Sequence, residues 1–228
     1  MSTAELLRAF EAVGGRFLTP PEALAAKLRR VRGYLFDWDG VFNAGIKGAE
    51  GGSPFAEPDA MGTNMLRFSH WLQHGELPVV AIMTGENNAA ARHLAEREHF
   101  DAVVLRAKRK DEALRELADT HCLRPEQFAF VFDDIIDLPA CRITGLNLCV
   151  RRPAGPLFLD YVARHGLADY VTGHPGGAHA VRELTELLIA LRGNGEATIT
   201  KRIDFAGDYE RYLAGRNAGP PRVLDLGG

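Results

Sequence analysis

One stretch constrains this chain more than any other: Tyr34-Leu35-Phe36-Asp37-Trp38-Asp39-Gly40-Val41. Val31, Tyr34, Leu35 and Phe36 make a short apolar run rich in strand formers, and the run stops abruptly at two carboxylates. Asp37 and Asp39 are two residues apart, so on extended backbone their side chains point the same way. Gly40 then lets the chain turn sharply. Two like charges at the end of a buried strand repel unless a positive group lies between them, and a divalent cation is the usual one. Asp-Gly is also ordinary turn chemistry, so the stretch alone allows a simple turn or a helix cap.

The remainder of the chain alternates between strand and helix patterns. Strands are expected at Val31 to Phe36, Leu77 to Met83, Ala102 to Leu105, Phe128 to Phe132, Leu146 to Val150 and Asp169 to Thr172. Helices are expected at Asp59 to Gln73, Asn87 to Glu98, Lys110 to His121, Leu138 to Ile143 and Leu157 to His165. A last amphipathic one is marked by Val181, Leu184, Leu188 and Leu191. This alternation predicts an α/β fold, a three-layer Rossmann-like parallel sheet with helices on both faces. Residues 1–30 read as a peripheral helical extension, with Ala4, Leu7 and Phe10 on one face and Gly14-Gly15 ending the first segment. Residues 31–192 read as the main domain. Residues 193–228 read as a polar tail, with a linker at Gly193 to Thr198, a short helix at Asp208 to Ala214 and a frayed end from Gly219. Phe42 to Pro58 is glycine-rich and reads as a hairpin turning at Gly51-Gly52 or as a long loop.

In open α/β sheets, ligands bind beyond the carboxyl ends of the strands. Three expected strands end there in polar residues: Asp37 and Asp39, then Thr84, then Asp133 and Asp134, with Lys110 opening the helix after the third strand. This set points to phosphoryl transfer through an aspartyl phosphate. Asp37 is the candidate nucleophile, and Asp39 the acid that protonates the leaving oxygen and then the base for water. Mg²⁺ prefers oxygen ligands and retains waters, so Asp37, Asp133 and the Asp39 carbonyl oxygen suffice to hold it. Thr84 and neighbouring backbone N–H groups would bind phosphate oxygens, and Lys110 would offset charge on the nucleophile and the transferring group. Asp134 and Asp137 would orient the metal or its waters.

Composition narrows the partners. A net charge of -3 gives no bulk attraction to nucleic acid or to anionic membranes, and no apolar run is long enough to span a bilayer. The N-terminus lacks the pattern of a secretory signal. The odd set Cys122, Cys141 and Cys149 has no metal-like spacing and reads as buried, reduced thiols of a cytoplasmic protein.

The motifs FDWDGV (Phe36 to Val41), MTG (Met83 to Gly85), Lys110 and DDIID (Asp133 to Asp137) resemble those of the haloacid-dehalogenase-like (HAD) phosphatases. Within that superfamily the chain is similar to the capless 3-deoxy-D-manno-octulosonate 8-phosphate (KDO 8-phosphate) phosphatases. The similarity is carried by DGVFNAG at Asp39 to Gly45, FAEPDAMG at Phe55 to Gly62, RPEQFAFVFDDIIDLP at Arg124 to Pro139 and YVTGHPGGAHAVRELTELLI at Tyr170 to Ile189. It covers Val31 to Arg192. The resemblance implies a HAD-like fold with no large cap domain. It implies a Mg²⁺-dependent phosphatase of small phosphorylated sugars or sugar acids, and a homo-oligomer, often a tetramer, in which Gly45 to Pro54 could meet a neighbour. It places Gly40, Asn43, Gly85 and Glu86 around the substrate and favours Lys110 over Lys108 as the active-site lysine. The chain departs from the family at Phe132, where members have glycine, and at Glu86 and Pro58, where members have arginine. The catalytic set is kept while positive recognition groups are changed.

Other residues admit two readings. His174 and His179 flank Gly176-Gly177 and fit a metal pair or a structural turn. Arg151-Arg152 fit a contact to substrate anions or a solvated pair. The competing functions are a receiver-like phosphoacceptor module and a catalytically weak relative serving as a binding or assembly subunit. The order of the acidic pairs, with DxD on the first strand and Asp-Asp late, favours the hydrolase over the receiver.

Overall fold

A computed structural model describes residues 2–47 and 54–227. In chain order the elements are α1 (Thr3–Ala12), β1 (Arg16–Phe17), α2 (Pro21–Leu28), β2 (Gly33–Phe36), α3 (Glu57–His74), β3 (Val79–Met83), α4 (Ala89–Glu98), β4 (Ala102–Leu105) and α5 (Lys110–Thr120). They continue with β5 (Phe128–Phe132), α6 (Leu138–Cys141), β6 (Leu146–Arg151), α7 (Pro156–Arg164), β7 (Tyr170–Pro175), α8 (Ala180–Arg192), α9 (Gly195–Asp204), α10 (Asp208–Arg216) and β8 (Arg222–Asp225). The strands form one eight-stranded sheet in the order β1-β7-β6-β5-β2-β3-β4-β8. Every pairing is parallel except that of β1 with β7.

β2 lies between β5 and β3, with Leu35 opposite Phe130 on one side and Ala81 on the other. A strand covered on both faces reads as a continuous apolar run, which is why Gly33–Phe36 carries no polar alternation. Tyr34 and Phe36 face a core built with Leu66, Leu94, Leu184 and Leu188 from α3, α4 and α8. Leu35 faces the opposite layer with Leu114, Leu117 and Val162 from α5 and α7. The fold is the expected three-layer α/β sandwich, and no separate cap domain exists among the described residues.

Both ends of the chain are more integrated than the sequence suggests. The first helix buries Leu6 and Phe10, four apart on one face, while Ala4 is exposed. Between α1 and α2, Arg16–Phe17 adds an antiparallel edge strand on β7. The expected linker is instead the start of α9, where Asn194 O accepts from both the N and the Oγ1 of Thr198 and the Asn194 carboxamide pairs with Ser69 of α3. The expected frayed end contains β8, which takes the outer edge of β4, and Asp225 pairs with Arg106. The short helix forms as expected, as α10, and sets Tyr209 and Tyr212 against Phe68. Both hydroxyls bond Asn64 of α3, Tyr209 Oη accepting from Nδ2 at 2.9 Å and Tyr212 Oη donating to Oδ1 at 2.8 Å.

Residues 41–47 form turns and irregular chain, with one isolated bridge between Asp39 and Asn43. The Gly51-Gly52 turn, and all but the ends of the Gly45 to Pro54 segment, lie outside the described residues. No helix among the described residues is long and apolar enough to cross a membrane.

Candidate active site

Strands β2, β3 and β5 deliver their last residues to one edge of the sheet. Beyond β2, Trp38 is fully buried and stacks on Phe42 with ring centroids 5.1 Å apart, which fixes the backbone between the two aspartates. Gly40 turns with φ +88°, and a Cβ there would overlap the Asp133 carboxylate. Glycine is therefore required twice at this position, by backbone angle and by space.

Asp37 and Lys110 form a buried pair, Lys110 Nζ donating to Asp37 Oδ1 at 2.5 Å. The same ammonium donates to Asp137 Oδ1, also at 2.5 Å. Lys108 is exposed, so the structure places Lys110 and not Lys108 in the cluster. Burial works against the Lys110 charge, but Asp37 and Asp137 outweigh it and its pKa is raised. Burial likewise raises the Asp37 carboxyl well above the usual range, against the pull of Lys110. Asp133 is pushed up to about 6 by burial, opposed chiefly by Arg152.

Ligand oxygens of Asp37, Asp133 and Asp137 lie within 4.8 Å of one another. Asp137 is the least available of the three. Its Oδ1 holds Lys110, and its Oδ2 accepts from the backbone N–H groups of Asp133 (3.3 Å) and Asp134 (3.0 Å). It therefore fixes the lysine and the loop beside the other two carboxylates. Asp133 Oδ1, by contrast, is buried with no hydrogen-bond partner. A buried carboxylate oxygen facing other carboxylates suits a cation, so the residues present fit a divalent metal held by Asp37 and Asp133. Asp134 is half-exposed. Its Oδ1 accepts from Ile135 N at 2.7 Å, and its Oδ2 lies 3.3 Å from Arg152 Nη1.

The Asp39 carboxylate stands outside this cluster. Its Oδ2 accepts from Asn88 Nδ2 at 3.1 Å and lies 3.2 Å from Lys47 Nζ. Asn88 Nδ2 also donates to Thr84 Oγ1 at 2.7 Å, so one carboxamide ties the two groups together. Because Thr84 Oγ1 accepts there and from Glu86 N (3.4 Å), its own O–H proton is left free to donate. Open space lies beside Gly85, and Glu86 is exposed. Asn43, expected beside the substrate, lies in the turn after Asp39. It is buried, its Nδ2 donates to Trp38 O at 3.3 Å, and its Oδ1 accepts from Gly45 N at 2.8 Å, so it braces the turn.

Sequence reasoning missed Asn88 and Lys47 and left Arg152 ambiguous. An asparagine directly before a helix reads as a cap, yet Asn88 makes no capping bond to α4. Arg152 is partly exposed yet turned toward the cluster, its Nε donating to Asp133 Oδ2. The two histidines are not brought together as a pair: His174 Nδ1 lies 2.7 Å from Glu183 Oε2, and His179 Nδ1 lies 3.9 Å from Asp59 Oδ2. Phe132 fills its place in the core, stacking on Phe130 at 5.9 Å.

This sheet order and its carboxylate-tipped central strands define a HAD-like fold. No protein-family model matches the chain. In sequence and in structure it is similar to the KDO 8-phosphate phosphatases. The KDO 8-phosphate phosphatase of Escherichia coli K12 is 38% identical over 81 residues, and the match spans 36% of this chain and 39% of that relative's length. A Legionella pneumophila protein assigned to subfamily III A of the HAD hydrolases superposes with a TM-score of 0.66 at 29% identity, over 79% of this chain and 94% of that one. The Moraxella catarrhalis KDO 8-phosphate phosphatase, solved with magnesium, phosphate and KDO, superposes with a TM-score of 0.65 at 26% identity, over 78% and 97% of the two chains.

Proposed function

We propose that the protein is a Mg²⁺-dependent phosphatase that hydrolyses a small phosphorylated sugar or sugar acid, with its chemistry carried by residues 31–192. The observation that carries this reading is the buried Asp37–Lys110–Asp137 chain beside the unpartnered Oδ1 of Asp133, at the carboxyl edge of a parallel sheet. When bound by Asp37, Asp133 and the Asp39 carbonyl, Mg²⁺ supplies Lewis-acid stabilisation of the phosphate oxygens.

Lys110 engages Asp37 Oδ1, which leaves Oδ2 to attack phosphorus. The new O–P bond forms as the ester P–O bond breaks, and Asp39 gives its proton to the departing alkoxide. Water then attacks the aspartyl phosphate, Asp39 takes its proton, and the Asp37 O–P bond breaks to release inorganic phosphate. Thr84 Oγ1 and the backbone at Gly85 and Glu86 receive phosphate oxygens, while Gly40 leaves space at the nucleophile. The magnesium, phosphate and KDO bound by the Moraxella relative direct the substrate search to sugar-acid phosphates.

The reading extends to a cytoplasmic homo-oligomer. Cys141 and Cys149 are buried as expected, whereas Cys122 is exposed, and three free thiols suit a reducing compartment. Ile135, Ile136 and Leu157 are exposed beside the site, apolar surface that self-association would cover.

The test is turnover of p-nitrophenyl phosphate, then of a panel of sugar, sugar-acid and nucleotide phosphates, with Mg²⁺ and with EDTA. Activity that needs Mg²⁺ and vanishes in Asp37→Asn is expected. Metal-independent turnover, or full activity in that variant with deamidation excluded, would rule the mechanism out.

A further inference from the structure

Arg152 lies directly after β6 and turns back into the cleft. Its Nε donates to Asp133 Oδ2, and its Nη1 stands 3.3 Å from Asp134 Oδ2. Its Nη2 lies along the Gly40 turn, close enough that a Cβ on Gly40 would crowd it, and within 3.6 Å of where a Gly45 Cβ would stand. Two residues without side chains thus form a slot for one edge of the guanidinium, and two carboxylates receive its donors. A planar fork with fixed donor directions suits such a site, whereas an ammonium on a flexible stem would satisfy one carboxylate at a time.

The contact has a direction. Arg152 holds Oδ2 of Asp133, and the oxygen left buried without a partner is Oδ1, the one available to share a cation with Asp37. From this geometry we infer that Arg152 is a positioning residue for the cation site, clamping Asp133 and Asp134 so that Asp133 Oδ1 is aimed at the metal. Groups that orient a metal ligand from behind typically contribute 10- to 100-fold to metal affinity. Because the Arg152 side chain remains 41% exposed, it can hold this position without disturbing the core.

The inference rests on the proposed Mg²⁺ site, and calorimetry separates the two without reference to turnover. Mg²⁺ is titrated into the metal-stripped wild-type protein and into Arg152→Ala and Arg152→Lys. The expected result is a loss of about 10- to 100-fold in Mg²⁺ affinity for Arg152→Ala, with an intermediate loss for Arg152→Lys. Wild-type affinity in Arg152→Ala overturns the clamp and leaves the metal site standing. Tighter binding also overturns it, since that is the mark of an arginine competing with the cation for Asp133. No binding to any of the three proteins overturns the site and the clamp together. A measurement on the unmutated protein guards against a misfolded variant. The Arg152 Nε–H signal in nitrogen-15 spectra is expected to stay protected from water when Mg²⁺ saturates the site, and its loss on saturation overturns the clamp.

Discussion

Lys110 Nζ lies 2.5 Å from Asp37 Oδ1, and the lysine side chain has no solvent exposure. A cation so placed is held by its partners alone, with Asp137 as the second. Lys110→Met leaves two buried carboxylates facing one another. Removing one partner of such a buried set costs about 3–5 kcal/mol, and turnover falls by about 10²–10³-fold with the loss of charge stabilisation at phosphorus. Urea unfolding and steady-state kinetics check the two effects separately. Wild-type stability in this variant would show that the carboxylates reach water or another cation.

Asp39 and Thr84 share the Asn88 carboxamide, at 3.1 and 2.7 Å. Asp39→Asn should lower kcat by roughly 10²–10⁴-fold while Mg²⁺ affinity, measured by calorimetry, stays as it was. Asn88→Ala removes neither the acid nor the phosphate donor but frees both to move. A loss of about 10- to 100-fold in kcat is expected, with KM changing less. Asn88→Asp, which sets a carboxylate against Asp39, should be worse than alanine. Full activity in Asn88→Asp would mean that the tie is incidental.

His70 on α3 accepts or donates with Tyr34 Oη at 3.1 Å. Burial, reinforced by His74 and Arg32, lowers its pKa from 6.5 to about 3. Between those values the unfolded chain binds a proton that the folded chain refuses, so stability falls as pH drops through that window. At pH 5 the penalty is about 2 kcal/mol, and it fades to nothing over about one unit above pH 6.5. Thermal melts at pH 7.5 and pH 5.0 should therefore differ less for His70→Gln than for the wild type. Equal pH sensitivity in the two proteins would assign the acid lability to other groups.

The central strands and their polar endings could be read from the sequence because both are local patterns. A parallel strand is a continuous apolar run, and Asp37, Thr84 and Asp133 each follow one directly. The partners of those residues were harder to see. Arg152 reaches Asp133 from the loop after β6, and Asn88, four residues beyond Thr84, reaches Asp39 from the loop after β3; nothing in a short window reports the contacts to the two aspartates. The tail was obscured for a related reason. Asn64 and Ser69 make α3 look like a helix with a solvated face, yet that face meets Tyr209, Tyr212 and Asn194. Polar residues that pair with polar residues far along the chain cannot be told from residues that pair with water.

The two outermost strands, β1 and β8, come from opposite ends of the described chain. Arg16 cannot find its partner Val171 until most of the polypeptide has left the ribosome, and the edge of β4 stays unpaired until Arg222–Asp225 has been made. During synthesis the half-built sheet therefore presents a bare row of backbone donors and acceptors, a template for pairing with other chains. Closing the edges with such distant segments also gives the fold a high contact order and slows its completion. A growing chain of this protein is thus most exposed to aggregation late in translation, when its central strands are already in place.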